Sequence, residues 1–156
     1  MTNHDWEIMK GLEPAEAEEV EALGTRQLLS EGSVLFELGA DADHLFLVVR
    51  GRANLSLPVQ LGGQPQDMLV EERGPGQVLG WSALIPPHQF TLKATAPLEA
   101  EFLAFPREAL LSHLTEKPKV GHLVMRNLAA TVGQRLQTLQ VMWLREVQRL
   151  LERQSG

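Results

Sequence analysis

Residues 45–76 read LFLVVRGRANLSLPVQLGGQPQDMLVEERGPG, and this stretch decides the class of fold. A short apolar run of strand type at 45–49 ends at Gly51, and residues 53–57 alternate apolar and polar side chains as a half-buried strand does. Residues 62–65 (Gly-Gly-Gln-Pro) indicate a hairpin turn. Turns recur about every 8 to 12 residues with no long helix between them, which predicts a small antiparallel barrel or jelly roll.

The sequence before and after this stretch extends the pattern. The β-rich region is expected to cover residues 26–105, because further strands are indicated at 91–95 and 101–105. In front of it, residues 5–25 predict two short helices, the second beginning near Pro14, whose fixed φ suits a helix start.

The end of the chain, residues 106–154, is helical by pattern. Pro106 suits the first position of a short helix through Leu114, and a long helix is indicated from about Lys119 to Arg153. Its apolar stripe is formed by Val132, Leu136, Leu139, Trp143, Val147 and Leu150. Such a helix is roughly 50 Å long at 1.5 Å per residue, more than so small a barrel can cover. The stripe therefore favours a helix-to-helix homodimer over a helix packed only on its own domain.

Composition bounds the class of protein. The 156 residues predict one domain, 1–156, and 44% apolar with 22% charged residues is typical of a globular chain. Cysteine is absent, which excludes disulfides, thiol nucleophiles and Cys-ligated zinc. No apolar run is long enough for a membrane span, and the polar start carries no signal peptide, so we expect a cytoplasmic protein without a membrane partner. The net charge of −6 argues against general nucleic-acid binding.

Catalytic and metal-binding patterns are not found in the sequence. The histidines (His4, His44, His88, His113 and His122) show no metal-ligand spacing. Gly80-Trp81-Ser82 comes nearest to a nucleophile elbow but lacks the second glycine, and no phosphate loop or dinucleotide fingerprint is present. We therefore expect neither an enzyme nor a bound cofactor.

Residues 74–91 read GPGQVLGWSALIPPHQFT and form an unusual segment. Three glycines precede a short turn, and backbone N–H groups exposed at such a turn make an anion-binding nest. The alternative is a barrel corner that is turned by glycine and stopped by proline. The residues alone favour neither interpretation.

Four segments, in order, resemble one known family. They are residues 35–48 (LFELGADADHLFLV), 50–53 (RGRA), 74–84 and 105–108 (FPRE). These resemble the strand pair, following turn, phosphate-binding cassette and next helix of cyclic-nucleotide-binding domains of the catabolite-activator and protein-kinase-regulatory type. The resemblance, over about 6–153, implies a mainly β fold with flanking α: an eight-stranded double-stranded β-helix (jelly roll) with short N-terminal helices and a long C-terminal dimerisation helix.

The resemblance also implies a ligand pocket around the cassette. Its candidate residues are Leu79, Gly80, Trp81, Ser82, Ala83, Leu84, Gln89, Phe90, Thr91, Lys93 and Gln140. Members that bind cAMP or cGMP carry a glutamate for the ribose 2′-hydroxyl where this chain has Trp81, and a phosphate-binding arginine where it has Gln89 or Phe90. Losing two contacts with charged groups costs about 3–6 kcal/mol, so we expect weak binding of both nucleotides. Lys93 is the cation nearest in sequence.

Two functions remain open at this point. The chain is either a stand-alone sensor for a less anionic, nucleotide-like small molecule, or a ligand-free dimerisation and docking module whose pocket is filled by Trp81 and Phe90. It ends where family transcription factors continue into a helix-turn-helix domain, so direct DNA binding is not expected. A fragment of a larger signalling protein is the further alternative.

Overall fold

The structure is a computed structural model that describes residues 5–156; His4 and the polar start of the chain lie outside the described residues. The strands are β1 (Thr25–Leu29), β2 (Val34–Phe36), β3 (His44–Arg50), β4 (Ala53–Leu61), β5 (Gln64–Arg73), β6 (Val78–Leu79), β7 (Lys93–Thr95) and β8 (Ala100–Pro106). The helices are α1 (Pro14–Glu21), α2 (Arg107–Glu116) and α3 (Pro118–Ser155), with short 3-10 turns at Glu7–Met9 and Trp81–Ala83.

The strands form two four-stranded sheets, in the orders β1-β8-β3-β6 and β2-β7-β4-β5, and their pairings are antiparallel. This confirms the predicted mainly β fold with flanking helices. The apolar run at 45–49 becomes β3, which pairs with β8 on one side and β6 on the other. Residues 45–48 are all buried, so both faces of β3 are covered and the run does not alternate. Side chains from both sheets and from the helices join it in one hydrophobic core.

The predicted hairpin joins β4 and β5. Gly62 and Gly63 both have positive φ, as the tight turns that suit the twist of a hairpin require. Pro65, expected within the turn, lies instead in β5, opposite Gln60. Among residues 5–156 β5 pairs only with β4, and a proline without an N–H group is tolerated on such an edge strand.

The helical boundaries differ from the sequence-based ones by a few residues. Pro106 does not open α2 but ends β8, because its backbone is extended and it pairs with His44. Pro118 occupies the first turn of α3, where its missing N–H has no helical partner to lose. At 38 residues α3 is about 57 Å long, somewhat longer than predicted.

Helix α3 has two different halves. Its first half is packed against the protein through Val124, Leu128 and Thr131, and Arg135 is the last buried residue along it. Beyond Arg135 every side chain is exposed apart from the half-buried Val147. Half of the helix therefore carries its apolar side chains uncovered within one chain.

Gly121 sets how closely α2 and α3 approach, because a Cβ there would lie 2.4 Å from the carbonyl oxygen of Leu114. We expect Gly121→Ala to lower the free energy of unfolding by about 1–3 kcal/mol, since the obstructing atom is backbone. Gly133→Ala is the matched control on the same helix. A Cβ there meets open space, so we expect no loss, or a gain of up to about 1 kcal/mol from helix propensity. Urea unfolding followed by circular dichroism at one protein concentration measures both, and equal losses would contradict the close approach.

Candidate functional site

The cassette is built from β6 and the 3-10 turn that follows it. Between them Gly80 adopts φ +77, which L side chains rarely adopt, and a Cβ there would lie 3.0 Å from the ring of Phe90. The turn is closed by its own carbonyls, since Ala83 N donates to Gly80 O and Leu84 N to Trp81 O, both at 3.0 Å. Gly80 is therefore required both by its backbone conformation and by the side chain packed against it.

Phe90 fills the interior of the cassette. Its side chain is 5% exposed and stacks on Phe36 with ring centroids 3.7 Å apart and an interplanar angle of 8°. The backbone holds it there on both sides, because Phe90 N donates to Ala40 O and Gly39 N donates to Phe90 O. The ring is thus held by the loop after β2 as well as by stacking.

Little space remains beside these rings. A cavity of about 10 Å³ is lined by Phe36, Leu55, Gly80, Trp81, Ser82, Phe90, Thr91, Leu92 and Arg135. Pockets for small organic ligands usually measure about 300–1,000 Å³, and one water molecule needs about 10–15 Å³. The cassette as it stands has room for about one water molecule.

Trp81 does not fill the cassette in the way that Phe90 does. It is half-buried and also borders a second, apolar pocket of about 370 Å³ between the cassette turn and α3. That pocket is lined by Trp81, Ile85, Met125, Leu128, Ala129, Val132 and Gly133. The indole therefore lies between the cassette cavity and this second pocket.

The structure brings together some of the candidate pocket residues and not others. Gly80, Trp81, Ser82, Phe90 and Thr91 line the small cavity, and Leu79, Ala83 and Leu84 are buried outside its wall. Gln89, Lys93 and Gln140 do not line it. Gln89 and Gln140 are exposed to solvent, the latter beyond the buried half of α3.

Lys93 is engaged elsewhere. Its Nζ donates a hydrogen bond to Asp67 Oδ2 on β5 at 2.9 Å. This hydrogen bond raises the pKa of Lys93 above its ordinary value. Lys93 therefore stays charged at neutral pH in a pair at the surface of the second sheet, and its charge does not face the cassette cavity.

Arg135, Phe36, Leu55 and Leu92 belong to the cavity wall and were not candidates from the sequence. Arg135 is 9% exposed, and its Nε donates to Glu71 Oε2 at 2.7 Å. A signal for its burial existed: it follows Thr131 by four residues and Leu128 by seven, which places all three on one face of the helix.

Glu71 also binds a second arginine, Arg73, on its own strand β5. Its other oxygen, Oε1, accepts from Arg73 Nη1 at 3.0 Å, and Arg73 Nε donates to the carbonyl of Val78 at 2.9 Å. Arg73 also pairs with Glu7, whose Oε2 accepts from Val78 N at 2.9 Å. This charge network connects α3, β5, the N-terminal turn and the strand that leads into the cassette.

Neither a candidate metal site nor a candidate membrane-spanning helix is found among the described residues. Within 5–156 no group of three or more His, Asp or Glu side chains is arranged to hold a metal ion. None of the helices in the same range combines the length and the apolar character needed to cross a bilayer.

The family profile described as the cyclic nucleotide-binding domain matches residues 26–117, more than half of the chain. The chain belongs to this family. The match begins in β1 and ends just after α2, so it contains both sheets and the whole cassette.

Curated relatives carry names from the same family. The cyclic AMP receptor protein of Thermus thermophilus is 31% identical over 129 residues, which are 83% of this chain and 56% of that protein. A CRP-like cAMP-activated global transcriptional regulator of Mycobacterium tuberculosis is 26% identical over 126 residues, 78% of this chain and 53% of that protein. The chain thus spans about half the length of the curated relatives it matches.

Solved structures agree on the fold. The Thermus thermophilus catabolite activator protein has a TM-score of 0.72 at 29% identity, covering 88% of this chain and 61% of that one. The sensor domain of the transcriptional regulator DNR from Pseudomonas aeruginosa has a TM-score of 0.66 at 16% identity, covering 86% and 88%. Among cyclic nucleotide-binding domains, this one is therefore of the type found in bacterial CRP-like regulators.

Glu71 accepts hydrogen bonds from two buried guanidinium groups, so its charge is expected to contribute to folding. Glu71→Gln should lower the free energy of unfolding by about 2 kcal/mol, the usual range for hydrogen bonds to charged groups. Glu72→Gln, on the exposed neighbour, removes the same charge and should change stability by less than about 0.5 kcal/mol. Chemical denaturation of the two variants side by side tests this, and similar stabilities would mean that the network contributes little.

Proposed function

We propose that this domain is a regulatory module in which a side chain of the protein occupies the place of the nucleotide. The observation that carries this is the Phe90 ring stacked on Phe36, which leaves a cavity of only about 10 Å³. Under this proposal cAMP and cGMP bind with dissociation constants nearer millimolar than micromolar. The domain regulates rather than catalyses, which is supported by the names of its relatives.

Charge supports the same proposal. A cyclic phosphate that enters a partly dehydrated pocket needs a cation or several aligned donors. Where nucleotide-binding members carry an arginine, this chain places Phe90 inside and Gln89 in solvent, and Lys93 is held by Asp67. Trp81 stands where those members have the ribose-binding glutamate. Entry of a nucleotide would therefore require displacement of Phe90 without a compensating charge at the usual positions.

Dimerisation is the second part of the proposal. Leu136 is 56% exposed and Trp143 65% exposed on the distal half of α3, together with Leu139 and Leu150. Burying one such side chain contributes about 1.5–3 kcal/mol, so a stripe of them stabilises a helix pair. The same stripe runs back to Val132 at the edge of the 370 Å³ pocket. We propose that α3 of a second copy covers the stripe and this pocket. Under this proposal the module acts on its partners as a dimer, in the cytoplasm.

The weak binding of nucleotide is tested by calorimetry with cAMP and cGMP. We expect no saturation below the millimolar range for the unmodified protein, because Phe90 fills the site. The double variant Trp81→Glu, Phe90→Arg should bind at least about tenfold more tightly, since it opens the cavity and supplies both charged contacts. Trp81→Glu, Gln89→Arg is the matched control, because Gln89 points to solvent and Phe90 remains in place. Micromolar cAMP binding by the unmodified protein would contradict the proposal.

The dimer is tested by introducing charge into the stripe. Leu136→Glu, Leu139→Glu places two unpaired carboxylates in the proposed seam, where uncompensated burial is costly. Ala130→Glu, Gln137→Glu adds the same charge at exposed positions of α3 outside the stripe. Light scattering at tens of micromolar should give a dimer for the unmodified protein and the control, and a monomer for the stripe variant. A monomeric unmodified protein would end this part of the proposal.

A further inference from the structure

The wall of the cavity beside Phe90 includes a cationic side chain, Arg135, with one unsatisfied donor. Nη2 of Arg135 is buried and has no hydrogen-bond partner within residues 5–156, although Nε of the same group is bonded to Glu71. The side chain is more than nine-tenths buried, and it lines the same cavity wall as the two phenylalanine rings. A buried donor on a charged group that is left unpaired costs free energy, so this site favours an acceptor.

The rest of the wall is suited to a flat ring. Phe90 and Phe36 stack almost parallel, which shows that the slot beside Phe36 has the shape of an aromatic ring. Leu55, Leu92 and Trp81 complete an apolar surround. A molecule that displaces the Phe90 ring would recover the stacking contact only if it were itself planar and aromatic.

From these two observations we infer that the cassette binds a small aromatic carboxylate, whose ring replaces that of Phe90 on Phe36 and whose carboxylate accepts from Arg135 Nη2. This deepens the proposed function: it rests on the closed cassette and names the class of ligand that opens it. Ligand binding exchanges one ring for another and satisfies the buried guanidinium.

The local charge disfavours a ligand with two negative charges. Arg135 and Arg73 are already balanced by Glu71 and Glu7, so one carboxylate already adds a net negative charge to the site, and a second carboxylate would add another. Ser82 and Thr91 line the same cavity and are the neutral polar side chains of its wall. A neutral aromatic amide of the same shape fits the slot but loses the charge-assisted hydrogen bond.

The experiment compares benzoate with benzamide by calorimetry on the unmodified protein and on Phe90→Ala, which empties the slot. We expect saturable benzoate binding in both, at least about tenfold tighter in Phe90→Ala, because the unmodified protein must first move its own ring. In Phe90→Ala, benzoate should exceed benzamide by about tenfold to hundredfold, the range for a hydrogen bond to a charged group. Phe90→Leu, a smaller change to the core, replaces Phe90→Ala if circular dichroism shows that the alanine variant is unfolded.

Arg135 is tested in the same background. Adding Arg135→Lys to Phe90→Ala keeps a cation for Glu71 but removes the second nitrogen, and the preference for benzoate over benzamide should fall to within about threefold. A preference that survives this change would overturn the inference. The inference would also be overturned if a folded Phe90 variant, or the unmodified protein, bound neither benzoate nor benzamide. The cavity would then hold no more than a single water molecule. Such a result leaves the proposed function intact, because that proposal is decided by the separate cAMP titration.

Discussion

The ion pair between Arg135 and Glu71 is the contact on which the arrangement of barrel and long helix depends. Arg135 is the last buried residue of α3, and its partner Glu71 lies 64 positions earlier in the chain. Through Arg73 and Glu7 the same carboxylate is connected to the backbone of Val78, two residues before Gly80. The direction of α3 and the conformation of the cassette are therefore set by one network of charges, which is shielded from screening by its burial.

Within that frame, the interior of the cassette is closed by an aromatic contact, the stacking of Phe90 on Phe36. A buried arginine needs a hydrogen-bond partner, either its phosphate ligand or water, whereas the Phe90 ring stacked on Phe36 needs no polar partner. Gly80 makes this possible, because any side chain there would meet the ring of Phe90.

Much of the fold was predictable because it depends on local patterns. The strand at 53–57, the two glycines of the β4–β5 hairpin and the apolar stripe of α3 are short-range signals, and each element is found where expected. The expected alternation within 53–57 is wrong, because the register shifts between Leu55 and Ser56, and Ser56 is buried while Leu57 is exposed. The site was less predictable because it depends on pairs distant in sequence. Phe36 and Phe90 are 54 positions apart, and the face on which Lys93 lies is decided by Asp67 on another strand.

Arg135 shows why a charge on a helix can mislead. Arginines of long helices are usually solvated, so the residue type alone does not separate Arg135 from Arg145, Arg149 or Arg153. Only its position four residues after Thr131, on the buried face of the helix, distinguishes Arg135 from the others. Its burial is stabilised by Glu71, which belongs to β5 and is distant in sequence. Pro106 is a second example, at the boundary between β8 and α2. Its pairing with His44 on β3 keeps it in the strand although proline also suits the start of a helix.

The unequal halves of α3 also make it a lever. From Arg135 to Ser155 the helix extends about 30 Å beyond its last buried residue, at 1.5 Å per residue. A rotation of about 10° at Arg135, smaller than many packing adjustments, would carry the far end through about 5 Å over that length. The pivot lies at a cavity scarcely larger than a water molecule. A displacement of the Phe90 ring that turned the helix at Arg135 by this angle would therefore move the far end of α3 by about 5 Å.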